Sequence, residues 1–238
     1  MTAEMVKAAP VQTRPLLVQA AVQASGSIVN EEFRSLAARV RRIGEEGRFH
    51  VIGIVSAVSG EGKTTVALGL ATALARATGQ RVLLVEADLR KPAIEKYLGL
   101  ARAPGVSEWL SGSNAGPVRM LAGWPVGVLP AGTARLETMD ALGSERMAAL
   151  LATARDAFTY VIVDCPPLTP VADAVALQEF LDGLLMVVRA RHAPREALAR
   201  AAERLKPGRI RGLVFIDEPE ILAKDYSYGY RGYEGYGS

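Results

Sequence analysis

The run Ala57-Val58-Ser59-Gly60-Glu61-Gly62-Lys63-Thr64 constrains this chain more than any other stretch, because it follows a strand-like apolar segment and opens a helix-like one. A loop in that setting turns its backbone N–H groups inward around phosphate oxygens, and the helix behind it adds a favourable dipole. Gly60 and Gly62 supply the turning points. Ser59, Gly60, Glu61, Gly62, Lys63, Thr64 and Thr65 are the expected nucleotide contacts. Lys63 is placed to reach the β- and γ-phosphates, Thr64 to offer its hydroxyl to Mg2+, and Thr65 to add a donor. The bland alternative is a glycine turn that caps a helix, and the full pattern and its context disfavour it.

From residue 51 onward, β-branched apolar runs alternate with helical stretches. Residues 51–56, 81–86, 126–129, 160–164, 183–188 and 212–216 read as strands, and 64–78, 145–157, 171–180 and 193–205 as helices. Strands apolar on both faces and separated by helices predict a doubly wound α/β fold of the P-loop NTPase type, with a mainly parallel sheet covered on both sides. Ahead of it, Phe33, Leu36, Val40 and Ile43 recur at helical spacing, with Asn30 as the expected cap and an end near Gly47. The expected organisation is a tail or linker over 1–29, a domain over 30–220, and a tyrosine-rich tail over 221–238.

A metal held by a hydroxyl and phosphates needs carboxylates, and in open α/β sheets these lie at the C-terminal ends of the strands beside the loop. Val82-Leu83-Leu84-Val85-Glu86-Ala87-Asp88 ends one strand with acids two residues apart, and Val161-Ile162-Val163-Asp164 ends another. Either alone reads equally well as a cap or a solvated loop acid. Together with the loop they read as a site.

Composition sets the outer limits. The chain has 238 residues, half of them hydrophobic, a net charge of +3 and one cysteine, Cys165. No segment reaches the roughly 20 apolar residues of a membrane helix, and residues 1–10 lack the apolar centre of a signal peptide. A reducing, cytoplasmic setting is expected. Arg39, Arg41, Arg42 and Arg48 are interleaved with Glu45 and Glu46, the pattern of a solvated helix face rather than a nucleic-acid surface. Cys165 reads as a small buried filler, and His50 and His192 stand alone with no zinc-ligand spacing around them.

Three segments carry a specific resemblance. SAVSGEGKTT (56–65), VLLVEADLRKP (82–92) and YVIVDCPP (160–167) resemble the Walker A, Walker A′ and Walker B motifs of the bacterial tyrosine kinases that regulate polysaccharide export. The likeness continues through Gly105-Val106-Ser107-Glu108-Trp109-Leu110, Leu129-Pro130-Ala131-Gly132, Gly143-Ser144-Glu145-Arg146 and Ala172-Asp173-Ala174. The end of the chain holds Tyr226, Tyr228, Tyr230, Tyr233 and Tyr236, a cluster that related ATPases lack.

The resemblance implies ATP and Mg2+ as cofactors, Lys63, Glu86, Asp88 and Asp164 as catalytic residues, and Thr64, Asp88 and Asp164 as metal ligands. Glu86 stands where the family has an aspartate placed to accept the tyrosine proton. The five tail tyrosines become the phosphorylation sites, and a tail from 218 to 236 spans on the order of 60 Å when extended, enough to reach a neighbouring subunit. Glu31 and Arg34 match an oligomerisation motif whose last arginine is replaced by Ala37. The family strand that ends in an asparagine close to adenine here ends in Ile216 and Asp217. Expected partners are a membrane-anchored polysaccharide copolymerase activator, further copies of this chain and a cognate tyrosine phosphatase, which would put the protein at the inner face of the plasma membrane. Two other readings stay open: a ParA/MinD-like ATPase switch, whose extra loop lysine is Val58 here, and a nonenzymatic nucleotide-gated adaptor.

Overall fold

The computed structural model describes residues 10–11, 28–113, 118–134, 136, 138–169 and 173–216. Eight strands form one sheet: β1 (Pro10–Val11), β2 (Val51–Ser56), β3 (Val82–Glu86), β4 (Arg119–Leu121), β5 (Val126–Leu129), β6 (Tyr160–Asp164), β7 (Gly183–Arg189) and β8 (Ile210–Ile216). Their spatial order is β1-β4-β5-β3-β6-β2-β7-β8. All pairs are parallel except β4 with β5.

The helices are α1 (Ile28–Glu46), α2 (Lys63–Thr78), α3 (Ile94–Leu98), α4 (Val106–Ser111), α5 (Thr138–Leu142), α6 (Glu145–Ala157), α7 (Asp173–Leu177) and α8 (Arg195–Glu203). They cover both faces of the sheet, as expected for strands apolar throughout. Alternate residues of each strand enter different cores. Val51 and Val55 pack with Met147, Leu150 and Ala154 of α6, while Ile52 and Ile54 pack with Val66, Leu70 and Leu74 of α2. Helix α1 lies on α2, where Phe33 sits so close to Gly69 that a Cβ there would come within 2.3 Å of its ring.

Three sequence expectations change. Helix α1 begins at Ile28, so Asn30 lies inside its first turn and does not cap it. The stretch expected to be helical from 171 to 180 is helical only at Asp173–Leu177 among its described residues. Strand β8 is not buried on both faces: it is the last strand of the sheet, and Leu213 and Phe215 are 54% and 70% exposed. An edge strand has a neighbour on one side only, and no described helix closes over those two side chains.

Candidate active site

Strand β2 runs into the loop, and the loop into α2 at Lys63. Gly60 and Gly62 have φ of 86° and 88°, in the left-handed region that glycine alone enters without strain. Space is limiting as well: a Cβ on Gly62 would lie 2.5 Å from Ile216 Cδ1. Ser59 and Gly60 are exposed on the loop, Thr65 is exposed, Thr64 is half-buried, and Lys63 is buried. Ile216 thus lies against the loop with an apolar side chain. Glu61 is fully buried and acts within the loop, accepting from the Val58 N–H at 2.9 Å and the Arg189 N–H at 3.4 Å.

The parallel pairing of β2 and β3 with β6 brings the acids to this loop. Glu86 and Asp164 are register partners, and Ile54 of β2 pairs with Asp164 from the other side. Thr64 Oγ1 donates to Asp164 Oδ2 at 2.7 Å. The other oxygen, Asp164 Oδ1, is buried and has no hydrogen-bond partner among the described residues. Burial pushes the Asp164 carboxyl up to about 7, opposed by the Thr64 hydrogen bond and by Lys63, and assisted by the charges of Glu86 and Asp88. Asp88 is half-buried, accepts from the Lys91 N–H at 3.1 Å, and has its carboxyl raised by burial, with Lys63 countering.

An unpartnered buried carboxylate oxygen beside a hydroxyl and a second carboxylate fits a hard divalent cation or its bound water. No group of three or more His, Cys, Asp or Glu side chains suited to a metal occurs among the described residues.

Glu86, expected as a base facing the substrate, is held by backbone amides. It is fully buried. Its Oε1 accepts from the Ala93 N–H and from the Ile94 N–H at 2.7 Å, and its Oε2 from the Ala131 N–H at 3.2 Å. Burial raises its carboxyl above the usual carboxylate range, and these three amides oppose that rise.

Four further side chains shape the site without having been assigned a role from sequence. His192 Nε2 lies 2.9 Å from the Ser59 carbonyl oxygen, and the preceding Arg191 has a φ of 57°. Asp173 is buried and receives Arg90 through Nε at 2.6 Å and Nη2 at 3.3 Å, tying the segment after β3 to the start of α7. Glu108 accepts from the N–H groups of Gly105, Thr133 and Ala134 and from the hydroxyls of Ser107 and Thr133. Thr169 donates its hydroxyl to the Ala57 carbonyl, fastening the segment after β6 to the start of the loop. The segments 105–110 and 172–174 marked two of these positions; nothing local marked His192 or Thr169. Cys165 is buried, as a small filler should be.

On α1, Glu31 and Arg34 are exposed and paired at 3.0 Å, whereas Ala37 is fully buried. The five tail tyrosines, Asp217 and residues 217–238 as a whole lie outside the described residues. No helix among the described residues is long and apolar enough to cross a membrane.

The CobQ/CobB/MinD/ParA nucleotide-binding domain family matches residues 52–224. The tyrosine-protein kinase YwqD of Bacillus subtilis is 31% identical over 216 residues, which cover 87% of this chain and 87% of that protein. The succinoglycan biosynthesis transport protein ExoP of Rhizobium meliloti is 40% identical over 182 residues, 70% of this chain, and the match spans 22% of that longer protein. Among solved structures, the kinase domain of the Escherichia coli tyrosine kinase ETK superposes with a TM-score of 0.74 at 25% identity, covering 84% of this chain and 80% of that one. A nucleotide-binding loop, two strand-end carboxylates beside it and these relatives converge: the chain belongs to the CobQ/CobB/MinD/ParA nucleotide-binding domain family and, within it, to the bacterial tyrosine kinases.

Proposed function

We propose that this chain transfers the γ-phosphoryl group of ATP to tyrosine hydroxyls of its own C-terminal cluster, Tyr226, Tyr228, Tyr230, Tyr233 and Tyr236, acting in trans between copies, and thereby regulates polysaccharide synthesis or export. The observation that carries the reading is the join between Thr64 and Asp164 at 2.7 Å, which sets the Walker B carboxylate against the first turn behind the phosphate loop. In the reaction the phenol oxygen bonds to the γ-phosphorus as that phosphorus parts from the bridging oxygen. ADP departs with the bonding pair, and the phenol proton is released.

Phosphoryl transfer rests mainly on alignment and on neutralising phosphate charge. The amides of residues 59–65 hold the phosphates at the start of α2, and Lys63 supplies a positive charge in a buried setting. Thr64, Asp88 and Asp164 would hold Mg2+, which when bound neutralises charge on the β- and γ-phosphates. Asp173, through Arg90, and Thr169, through Ala57, keep the flanking segments in place.

Supporting the polysaccharide role is a relative named as a succinoglycan biosynthesis transport protein, alongside relatives named as tyrosine-protein kinases. A membrane-anchored copolymerase is the proposed activator, further copies of the chain the proposed trans partners, and a tyrosine phosphatase the proposed means of reversal, at the inner face of the plasma membrane. Incubation with Mg·ATP followed by phosphotyrosine mapping, with and without an activator segment, tests the reading. Phosphate on the tail tyrosines supports the kinase. Phosphate release alone supports an ATPase switch, and neither supports an adaptor.

A further inference from the structure

Glu86 holds a junction together. Its Oε1 takes the N–H groups of Ala93 and Ile94 at the start of α3, and its Oε2 takes that of Ala131 after β5. One side chain thus joins the end of β3, the entry to α3 and the turn at Ala131. The segment after it is held in turn, since Glu108 accepts from the Thr133 and Ala134 N–H groups, both at 2.8 Å.

Between Glu86 and Ala93 lies the loop of residues 87–92, which carries Asp88 and Arg90. Glu86 closes that loop at its base, since it sits at one end and binds the amides at the other. Two more ties fix the loop: Ala87 N–H donates to the Asp164 carbonyl at 2.9 Å, and Arg90 pairs with Asp173. The length of Glu86 suits this task. An aspartate there would stop about 1.5 Å short, the length of one carbon–carbon bond, and would lose the amides of α3.

We propose that Glu86 is a positioning residue that closes the 87–92 loop and thereby sets Asp88 and Arg90 in the site, and that it is not the acceptor of the tyrosine proton. The proposal rests on the kinase reading for its second half only. Phosphoryl transfer has a loose transition state, and in this proposal the phenol proton passes to an oxygen of the transferred phosphoryl group and from there to water. No step needs a freely directed carboxylate at position 86.

Full-length Glu86→Gln and Glu86→Ala variants separate the roles. The measurements are kcat and KM for tail phosphorylation as a function of pH, Mg·ATP affinity, and hydrogen exchange at the Ala93 and Ile94 amides. Glutamine keeps an oxygen to accept from the Ala93 and Ile94 amides, loses the acceptor for the Ala131 amide, and cannot act as a base. The expected result is that Glu86→Gln keeps kcat within about tenfold of wild type with the same pH profile, since a general base contributes about 10²-fold or more. Glu86→Ala should weaken Mg·ATP binding and speed exchange at both amides. A Glu86→Gln variant that loses about 10²-fold or more in kcat with KM and exchange unchanged would overturn the proposal, as would unchanged exchange in Glu86→Ala. If wild type makes no phosphotyrosine, the kinase reading falls. The positioning role is then decided by affinity and exchange alone, with Glu86→Gln resembling wild type and Glu86→Ala not.

Discussion

Thr64 Oγ1 donates a 2.7 Å hydrogen bond to Asp164 Oδ2, joining residues 100 positions apart in the chain. The bond leaves Asp164 Oδ1 buried and unpartnered among the described residues, so the carboxylate is half satisfied by protein and half available to a cation. Replacing Asp164 with asparagine keeps the shape and removes the charge. We expect Asp164→Asn to lose at least tenfold in Mg-dependent ATP affinity while ATP binding without Mg2+ changes little. Titration calorimetry with and without Mg2+ reads both.

Lys63 begins α2 and is buried beside Asp88 and Asp164, whose carboxyls both feel its charge. Lys63→Met retains the aliphatic stem and deletes the ammonium. Tail phosphorylation should fall by about 10²-fold or more, because in the proposed reaction this charge faces the transferring group. Circular dichroism should show the fold retained.

Ala37, where the resemblance places the last arginine of an oligomerisation motif, is fully buried in the layer between α1 and α2. Restoring the arginine would force a charge into that layer. Ala37→Arg should destabilise the fold by about 2–4 kcal/mol in denaturant unfolding, the range for burying an unpaired charge or overpacking a core. Arg34→Ala, at an exposed position, should change stability by less than about 0.5 kcal/mol.

Much of this framework is legible in the sequence, and the reasons it is not entirely so are physical. Strands β2, β5 and β6 fall on the expected residues because each is an apolar run rich in β-branched residues, and helix α6 because its 13 residues carry a clear helical period. Helices α3, α4 and α5 and strand β4 span six residues or fewer, too short for periodicity to show. In the site, the phosphate loop and the strand-end acids are local patterns, and they converge as expected. What Glu86 does is not local: its partners lie 7, 8 and 45 residues away, and only the folded junction brings them together. His192 reaches the loop from 133 residues beyond Ser59, with no motif to announce it.

Glu108 supplies the pH prediction. Burial pushes its carboxyl up, but hydrogen bonds from the Thr133 hydroxyl and from the Gly105 and Thr133 amides outweigh that and lower it to about 2 from 4.5. A group with a depressed folded pKa stabilises fully above its unfolded value and loses that contribution as pH falls through the folded one. The Glu108 contribution is therefore whole above about 4.5 and lost progressively toward about 2. Glu108→Gln should be less stable than wild type at neutral pH, with the gap narrowing across that window. Thermal unfolding as a function of pH measures it.

In the proposed reaction the loop passes phosphate to tyrosines of another copy. Its most direct test mixes two full-length chains with Mg·ATP and the activator segment. One chain carries Lys63→Met with its tail tyrosines intact. The other is intact at the loop, with Tyr226, Tyr228, Tyr230, Tyr233 and Tyr236 all changed to phenylalanine. Phosphotyrosine mapped to the tail of the Lys63→Met chain, and absent when that chain is incubated alone, is the predicted result. An unphosphorylated tail in the mixture, under conditions where wild type phosphorylates its own, would contradict transfer in trans.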